Sequence, residues 1–224
     1  MTGGARNVVV CDFDGTIAVE DVTNLIWDKH LPYQWREVLI PPSREGKISA
    51  LEMIGLGYAD VKAPPEQLLA EVLPRVRLRE GWAQFVATCA ARRWPLHVVS
   101  HGLDFYIRRI LPPGVPLTCF VGTFEGDRWR VALPPGVTLT PGEDFKTHVV
   151  SALRAQHPDA TTVYVGDGRL DFPAARTCDR LFAVQASTLA RMCASAGIKY
   201  QEFATFDQIT EELAQPPPPG APPP

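Results

Sequence analysis

Four short apolar runs separated by helical patterns constrain this chain more than any other feature. They are Val8–Cys11 before Asp12, Leu96–Val99 before Ser100, Thr161–Val165 before Gly166-Asp167, and Leu181–Val184. Helical patterns over Gly81–Arg93, Leu103–Leu111, Phe145–Gln156 and Phe172–Cys178 separate them. Strands alternating with helices of this length predict βαβ units and a parallel sheet. Near-continuous apolar strands fit a sheet covered on both faces. Open sheets of this kind bind ligands beyond the carboxyl ends of their strands, so the residues that end each run are candidates for function.

Two segments break the alternation. Residues from about Val22 to Pro74 hold no convincing strand, only helical pieces near Leu25–His30, Tyr33–Leu39, Ser49–Tyr58 and Pro65–Leu73. They read as a helical insertion placed to cover the carboxyl end of the first strand. The second segment, Leu117–Leu133, places strand-like arms on either side of Glu125-Gly126-Asp127 and reads as a β-hairpin. At the far end, Thr205 and Gln208 mark the start of a last helix by the reciprocal capping pattern. The Pro-rich stretch after it lacks apolar residues to pack.

Composition narrows the class. With 224 residues, 46% hydrophobic and 21% charged, the chain can bury the core of one large domain or of a core domain with an insertion. Net charge is −3 and no basic block is present, which argues against nucleic acid and anionic membrane surfaces as partners. Five cysteines, at 11, 89, 119, 178 and 193, show no Cys-x-x-Cys spacing and read as small buried hydrophobes in a reducing compartment. No signal-peptide pattern precedes the first run, and no apolar run approaches the ~18–20 residues that span a bilayer. The expectation is a cytoplasmic soluble protein, of open oligomeric state.

The chemistry-bearing residues sit where the runs end. Asp12 and Asp14, spaced i, i+2 and followed by Gly15-Thr16, place two acids at one strand end, one able to attack an electrophile and one to move a proton. Ser100-His101-Gly102 offers a hydroxyl and backbone N–H groups to an anion, although Ser100 also reads as an ordinary helix N-cap. Lys146 lies in the first turn of a helix, where a cation is slightly unfavourable, and suits a role reaching a phosphoryl group. Gly166-Asp167-Gly168 is a tight turn exposing one carboxylate, and Asp171 returns a second. So many acids at one sheet edge cannot all ionise without raised pKa values or a cation. An all-oxygen ligand set favours Mg2+, with Ser100 and Lys146 binding phosphate opposite the metal.

In order and spacing, Asp12-Phe13-Asp14-Gly15-Thr16, Ser100, Lys146 and Gly166-Asp167-Gly168-x-x-Asp171 resemble the four motifs of the haloacid dehalogenase-like hydrolase superfamily. The resemblance implies an α/β fold with a Rossmann-like parallel-sheet core, here residues 1–20 and 75–214, and a helical cap over 21–74; the pattern of the sequence itself adds the small hairpin insertion and a disordered Pro-rich tail over 215–224. It implies Asp12 as the nucleophile that forms an aspartyl-phosphate, and Asp14 as general acid and then base. It also implies Mg2+ held by Asp12, the Asp14 backbone carbonyl and Asp167, with Asp171 supporting or joining that set. True dehalogenases of the superfamily work without metal and lack the second acid of the first motif, so Asp14 and Asp167 point to a phosphatase acting on a small-molecule phosphate ester.

The helical cap places the chain near the phosphoserine phosphatase-like branch. Ser100-His101-Gly102-Leu103-Asp104-Phe105-Tyr106-Ile107 is similar to the Ser-x-Gly-x-Asp-Phe-Tyr-Ile pattern of the 2-hydroxy-3-keto-5-methylthiopentenyl-1-phosphate phosphatases of methionine salvage. Ser100, His101, Gly102 and Lys146 are the expected substrate-binding residues. Phosphoserine phosphatases use a cap arginine for the substrate carboxylate, and Ile48–Leu56 offers none. The alternatives are a phosphoserine phosphatase-like enzyme, a phosphomutase, and a catalytically idle binding or regulatory module of the same fold.

Overall fold

The sheet predicted by the apolar runs forms around the first of them. The computed structural model describes residues 7–215, so the Pro-rich tail beyond Gln215 lies outside the described residues. In chain order the strands are β1 (Asn7–Cys11), β2 (Leu96–Leu103), β3 (Leu117–Glu125), β4 (Arg128–Ala132), β5 (Thr161–Gly166), β6 (Arg180–Val184) and β7 (Gln201–Phe203). They form one seven-stranded sheet ordered β4-β3-β2-β1-β5-β6-β7, with only the β3–β4 pair antiparallel. β1 is central and buried throughout, as its three consecutive valines require. The chain steps from β1 to β2 on one side and later to β5 on the other, which puts a topological switch point beside β1.

The helices are α1 (Val22–His30), α2 (Trp35–Val38), α3 (Ile40–Arg44), α4 (Ala50–Ala59), α5 (Pro65–Val72), α6 (Trp82–Arg92), α7 (Asp104–Ile110), α8 (Phe145–Gln156), α9 (Phe172–Ala175), α10 (Thr188–Ala196) and α11 (Phe206–Ala214). Five of them fall between β1 and α6, where the sequence predicts a helical insertion. An aromatic series ties that insertion to the hairpin. Trp27 meets Trp35 at 5.1 Å and Tyr58 at 5.9 Å; Tyr58 meets Trp129 of β4 at 5.8 Å; Trp129 meets Phe105 at 4.6 Å. Trp129 Nε1 also donates to the Ala63 carbonyl at 3.0 Å. Trp27 and Trp35 are therefore core residues.

The structure departs from the sequence reading in several places. β2 runs through to Leu103, with a register shift between Ser100 and Leu103, so Ser100 lies within an irregular strand and is not a helix cap. α3 opens on Pro41-Pro42, a pair that reads as a breaker but is well tolerated in a first helical turn. The sequence reading does not include α10 or β7: α10 buries only Leu189, Ala190 and Cys193, two of them small, and β7 has only three residues. The pattern over Phe172–Cys178 yields only the single turn of α9.

Candidate active site

Strand register brings the predicted residues together. Cys11 pairs with Val98 on one side and Val165 on the other, so Asp12 leaves β1 level with Gly166 and one step before Asp167. Lys146 comes from the first turn of α8, whose N-cap Asp144 accepts from the Thr147 N–H at 2.8 Å. Its side chain is 3% exposed, and a buried ammonium needs anionic partners. It has two: Asp12 Oδ1 at 2.5 Å and Asp171 Oδ1 at 2.6 Å.

Asp171 organises the loop that follows β5. Its Oδ1 accepts from Lys146 and from Tyr164 Oη at 2.7 Å; its Oδ2 accepts from the backbone N–H groups of Asp167 at 3.0 Å and Gly168 at 2.7 Å. With four donors taken, it acts through its neighbours more than as a free ligand. The glycines around it fit for steric reasons. A Cβ at Gly166 would lie 2.7 Å from Asp171 Oδ2, and one at Gly15, where φ is +78°, would lie 2.5 Å from Asp167 Oδ2. Thr16 Oγ1 donates to Asp167 Oδ1 at 2.9 Å, so the Gly15-Thr16 pair both admits and holds that carboxylate.

Asp14 is held apart from this group. Its Oδ1 accepts from the Val22 N–H at 2.9 Å and its Oδ2 from Tyr106 Oη at 2.7 Å. Ser100 Oγ is 3.4 Å from Asp14 Oδ2 and accepts from the Gly102 N–H at 2.9 Å. Burial, reinforced by the nearby Asp21 carboxylate, raises the Asp14 pKa to about 7, against the pull of Tyr106 and Val22. An acid poised there can hold a proton near neutrality and release it.

The cluster carries more negative than positive charge. One carboxylate oxygen each from Asp12, Asp167 and Asp171 fall within 4.8 Å of one another. Burial and then Asp171 raise Asp167 to about 7, and the same two causes raise Asp12 well above the usual carboxylate range despite Lys146. Burial alone would lower the Lys146 pKa, but Asp12 and Asp171 outweigh it and keep the ammonium charged. Three carboxylates against one ammonium leave a surplus that a hard cation relieves, and an all-oxygen donor set fits Mg2+. The residues present therefore fit the predicted ion, with Asp12 and Asp167 offering the freer oxygens.

His101 is buried beside the site. Its ring packs between Phe120 at 5.3 Å and Phe145 at 5.6 Å, and its buried Nε2 has no hydrogen-bond partner among the described residues. Burial first, then the charges of Lys146 and Arg169, push its pKa well below the usual imidazole value, so it is neutral. Sequence reasoning missed other members of the site. Arg79 donates to the carbonyls of Gly15 and Thr16, each at 2.7 Å, and clamps the turn after Asp14. Arg169 Nη2 donates to Ser43 Oγ in α3 at 2.9 Å, across the seam between the helical insertion and the loop bearing Asp167. Tyr106 was legible only as part of a motif, with no sign that it would reach Asp14.

Comparison with known proteins follows this geometry. The haloacid dehalogenase-like hydrolase family pattern matches residues 9–176. A 2-hydroxy-3-keto-5-methylthiopentenyl-1-phosphate phosphatase of Geobacillus kaustophilus is 29% identical over 211 residues, covering 92% of this chain and 94% of the relative. The protein of the same name from Brevibacillus brevis is 27% identical over 214 residues, with 93% and 95% covered. Among solved structures, a substrate-bound phosphoserine phosphatase superposes with a TM-score of 0.73 at 17% identity, covering 94% of this chain and 99% of that one. That likeness is one of fold.

Proposed function

Because the chain belongs to the haloacid dehalogenase-like hydrolase family, we propose that it is a Mg2+-dependent phosphatase of small-molecule phosphate monoesters working through Asp12. The observation that carries this reading is the separation of two acids, Asp12 buried and Asp14 half-buried. Asp12 sits among Lys146, Asp171 and Asp167, while Asp14 is bound elsewhere, to Val22 and Tyr106. Two carboxylates in different surroundings suit a nucleophile and a proton carrier.

In this reading Asp12 attacks phosphorus, and Asp14 protonates the departing oxygen and then draws a proton from the water that hydrolyses the aspartyl-phosphate. Lys146 and Ser100 bind phosphoryl oxygens, with the Gly102 N–H orienting the serine. Asp12, the Asp14 carbonyl and Asp167 would hold Mg2+, with Asp171 fixing their loop. Mg2+, when bound, neutralises charge on the phosphoryl oxygens. Residues 21–74 serve as the cap over this site, and the described residues of 1–20 and 75–214 as the core.

The substrate we favour is 2-hydroxy-3-keto-5-methylthiopentenyl-1-phosphate. The names of the two bacterial relatives support it, as does α4, which contains no arginine to hold a phosphoserine carboxylate. We place the protein in the cytoplasm: none of its five cysteines is bridged, and no described helix is long and apolar enough to cross a membrane.

The test is phosphate release from a panel of esters, including this compound and phosphoserine, with Mg2+ and with EDTA, against an Asp12→Asn control. Metal-dependent release absent from the control is expected. A wild type no faster than the control on every ester ends the reading in favour of an idle module. Transfer within the substrate without phosphate release points instead to a mutase.

A further inference from the structure

Tyr106 is fully buried, yet its hydroxyl is not spent on the core. Its single proton goes to Asp14 Oδ2 at 2.7 Å. Thr23 Oγ1 lies 3.1 Å from Tyr106 Oη and, because the tyrosine proton is already committed, must be the donor in that pair. Thr23, Tyr106 and Asp14 thus form a directed series that begins in the first turn of α1 and ends on the acid. On the other oxygen, the Val22 N–H holds Asp14 Oδ1. Asp14 Oδ2 also takes the longer contact from Ser100 Oγ at 3.4 Å, so the carboxyl group is gripped on both oxygens and cannot rotate, while Oδ1 keeps a free lone pair.

Gly102 is shaped to this contact. A Cβ there would stand 1.9 Å from Tyr106 Oη and 2.5 Å from Asp14 Oδ2. The neighbouring rings of Phe105 at 5.3 Å and Phe13 at 6.2 Å fix the phenol from behind. Three separate features, the missing side chain, the aromatic packing and the threonine, converge on one hydroxyl. Such convergence exceeds what satisfying a buried tyrosine requires.

We propose that Tyr106, seconded by Thr23, is a positioning residue that aims the Asp14 carboxyl at the leaving-group oxygen of the substrate. This rests on the phosphatase reading above. In the step concerned, an Asp12 oxygen forms a bond to phosphorus as the bond from phosphorus to the ester oxygen breaks. The electron pair left on that oxygen takes the Asp14 proton, giving the free alcohol and an Asp14 carboxylate. A poor leaving group needs this proton as the bond breaks, and a good one departs without it. Loss of aim therefore slows esters of weakly acidic alcohols selectively.

The experiment compares phenyl phosphate with p-nitrophenyl phosphate, which are similar in shape and differ in leaving-group acidity. The readout is kcat/KM, which reports the half-reaction through alcohol departure. In Tyr106→Phe, kcat/KM for phenyl phosphate should fall about tenfold or more, a fraction of the general-acid contribution, while that for p-nitrophenyl phosphate stays within about threefold of wild type. Thr23→Val should shift the same ratio in the same direction by less, and it carries the test if the phenylalanine variant fails to fold. Equal losses on both esters, or no change on either, overturn the proposal while leaving the phosphatase reading intact. A wild type that hydrolyses neither of these esters nor any ester of the panel above overturns both.

Discussion

The Lys146 ammonium lies 2.5 Å from an Asp12 carboxylate oxygen, and both side chains are less than a tenth exposed. It also bonds Asp171, so among the described residues it is the one cation bonded to any of the three clustered acids. Replacing it leaves buried carboxylates without compensation. Lys146→Ala should destabilise the protein by about 3–5 kcal/mol in EDTA, the usual cost of breaking a buried pair. Mg2+ should recover more stability in the variant than in wild type, because the ion then supplies the missing charge. Urea melts with and without Mg2+ check both expectations. Turnover should fall at least 100-fold, in line with the loss of a group that stabilises transition-state charge.

Gly15 has to be glycine on two grounds, its φ of +78° and the 2.5 Å approach of the Asp167 carboxylate. Gly15→Ala should displace Asp167 and break its bond with Thr16. The Mg2+ concentration giving half-maximal activity should rise about 10–100-fold, as for other disturbed supports of a metal ligand. A magnesium titration of the rate shows this directly, and an unchanged midpoint refutes it.

His101 gives a pH dependence with a definite sign. Its folded pKa is pushed well below the unfolded value near 6.5, so below that pH the unfolded chain takes up a proton that the folded chain refuses. Stability from this group is present above pH ~6.5 and is lost as pH falls towards the folded pKa, at up to about 1.4 kcal/mol per pH unit. His101→Phe, which keeps a ring between Phe120 and Phe145, should flatten that part of the slope. The difference between the two proteins, measured by urea melts from pH 7.5 to 5, isolates it from the carboxylates.

Trp129 is the main anchor between the hairpin and the helical insertion. It is 3% exposed, packs on Tyr58, Phe105 and Phe124, and bonds the Ala63 carbonyl. Trp129→Ala should cost about 3–5 kcal/mol, as other large aromatic truncations do. Limited proteolysis should then cut first within residues 21–74, whereas a cut pattern like that of wild type would show the insertion anchored elsewhere.

What was legible in the sequence was whatever a strand end announces. Asp12, Ser100 and Asp167 follow apolar runs, and parallel pairing alone carries them to one edge. Lys146 was visible as a charge in an unfavourable helical position. The partners that aim these groups were not, because their roles depend on contacts across large sequence separations. Tyr106 meets Asp14 across 92 positions, Arg169 meets Ser43 across 126, and Arg79 grips the Gly15 carbonyl across 64. The reading of Ser100 as a helix cap failed because β2 continues past it through an irregularity that no periodicity reveals. Adjacency to Ser100 suggests a substrate contact for His101 but carries no sign of its packing on Phe120 and Phe145.

The four hydrogen bonds that Asp171 accepts have a bearing on how fast the site can work. They tie the loop after β5 to its own backbone and to α8. The loop bearing Asp167 is therefore shaped during folding, and its ordering entropy is lost once per molecule. Arrival of an ion or a phosphate leaves that loop with little to rearrange, so each catalytic cycle can start from a site whose acidic side is already set.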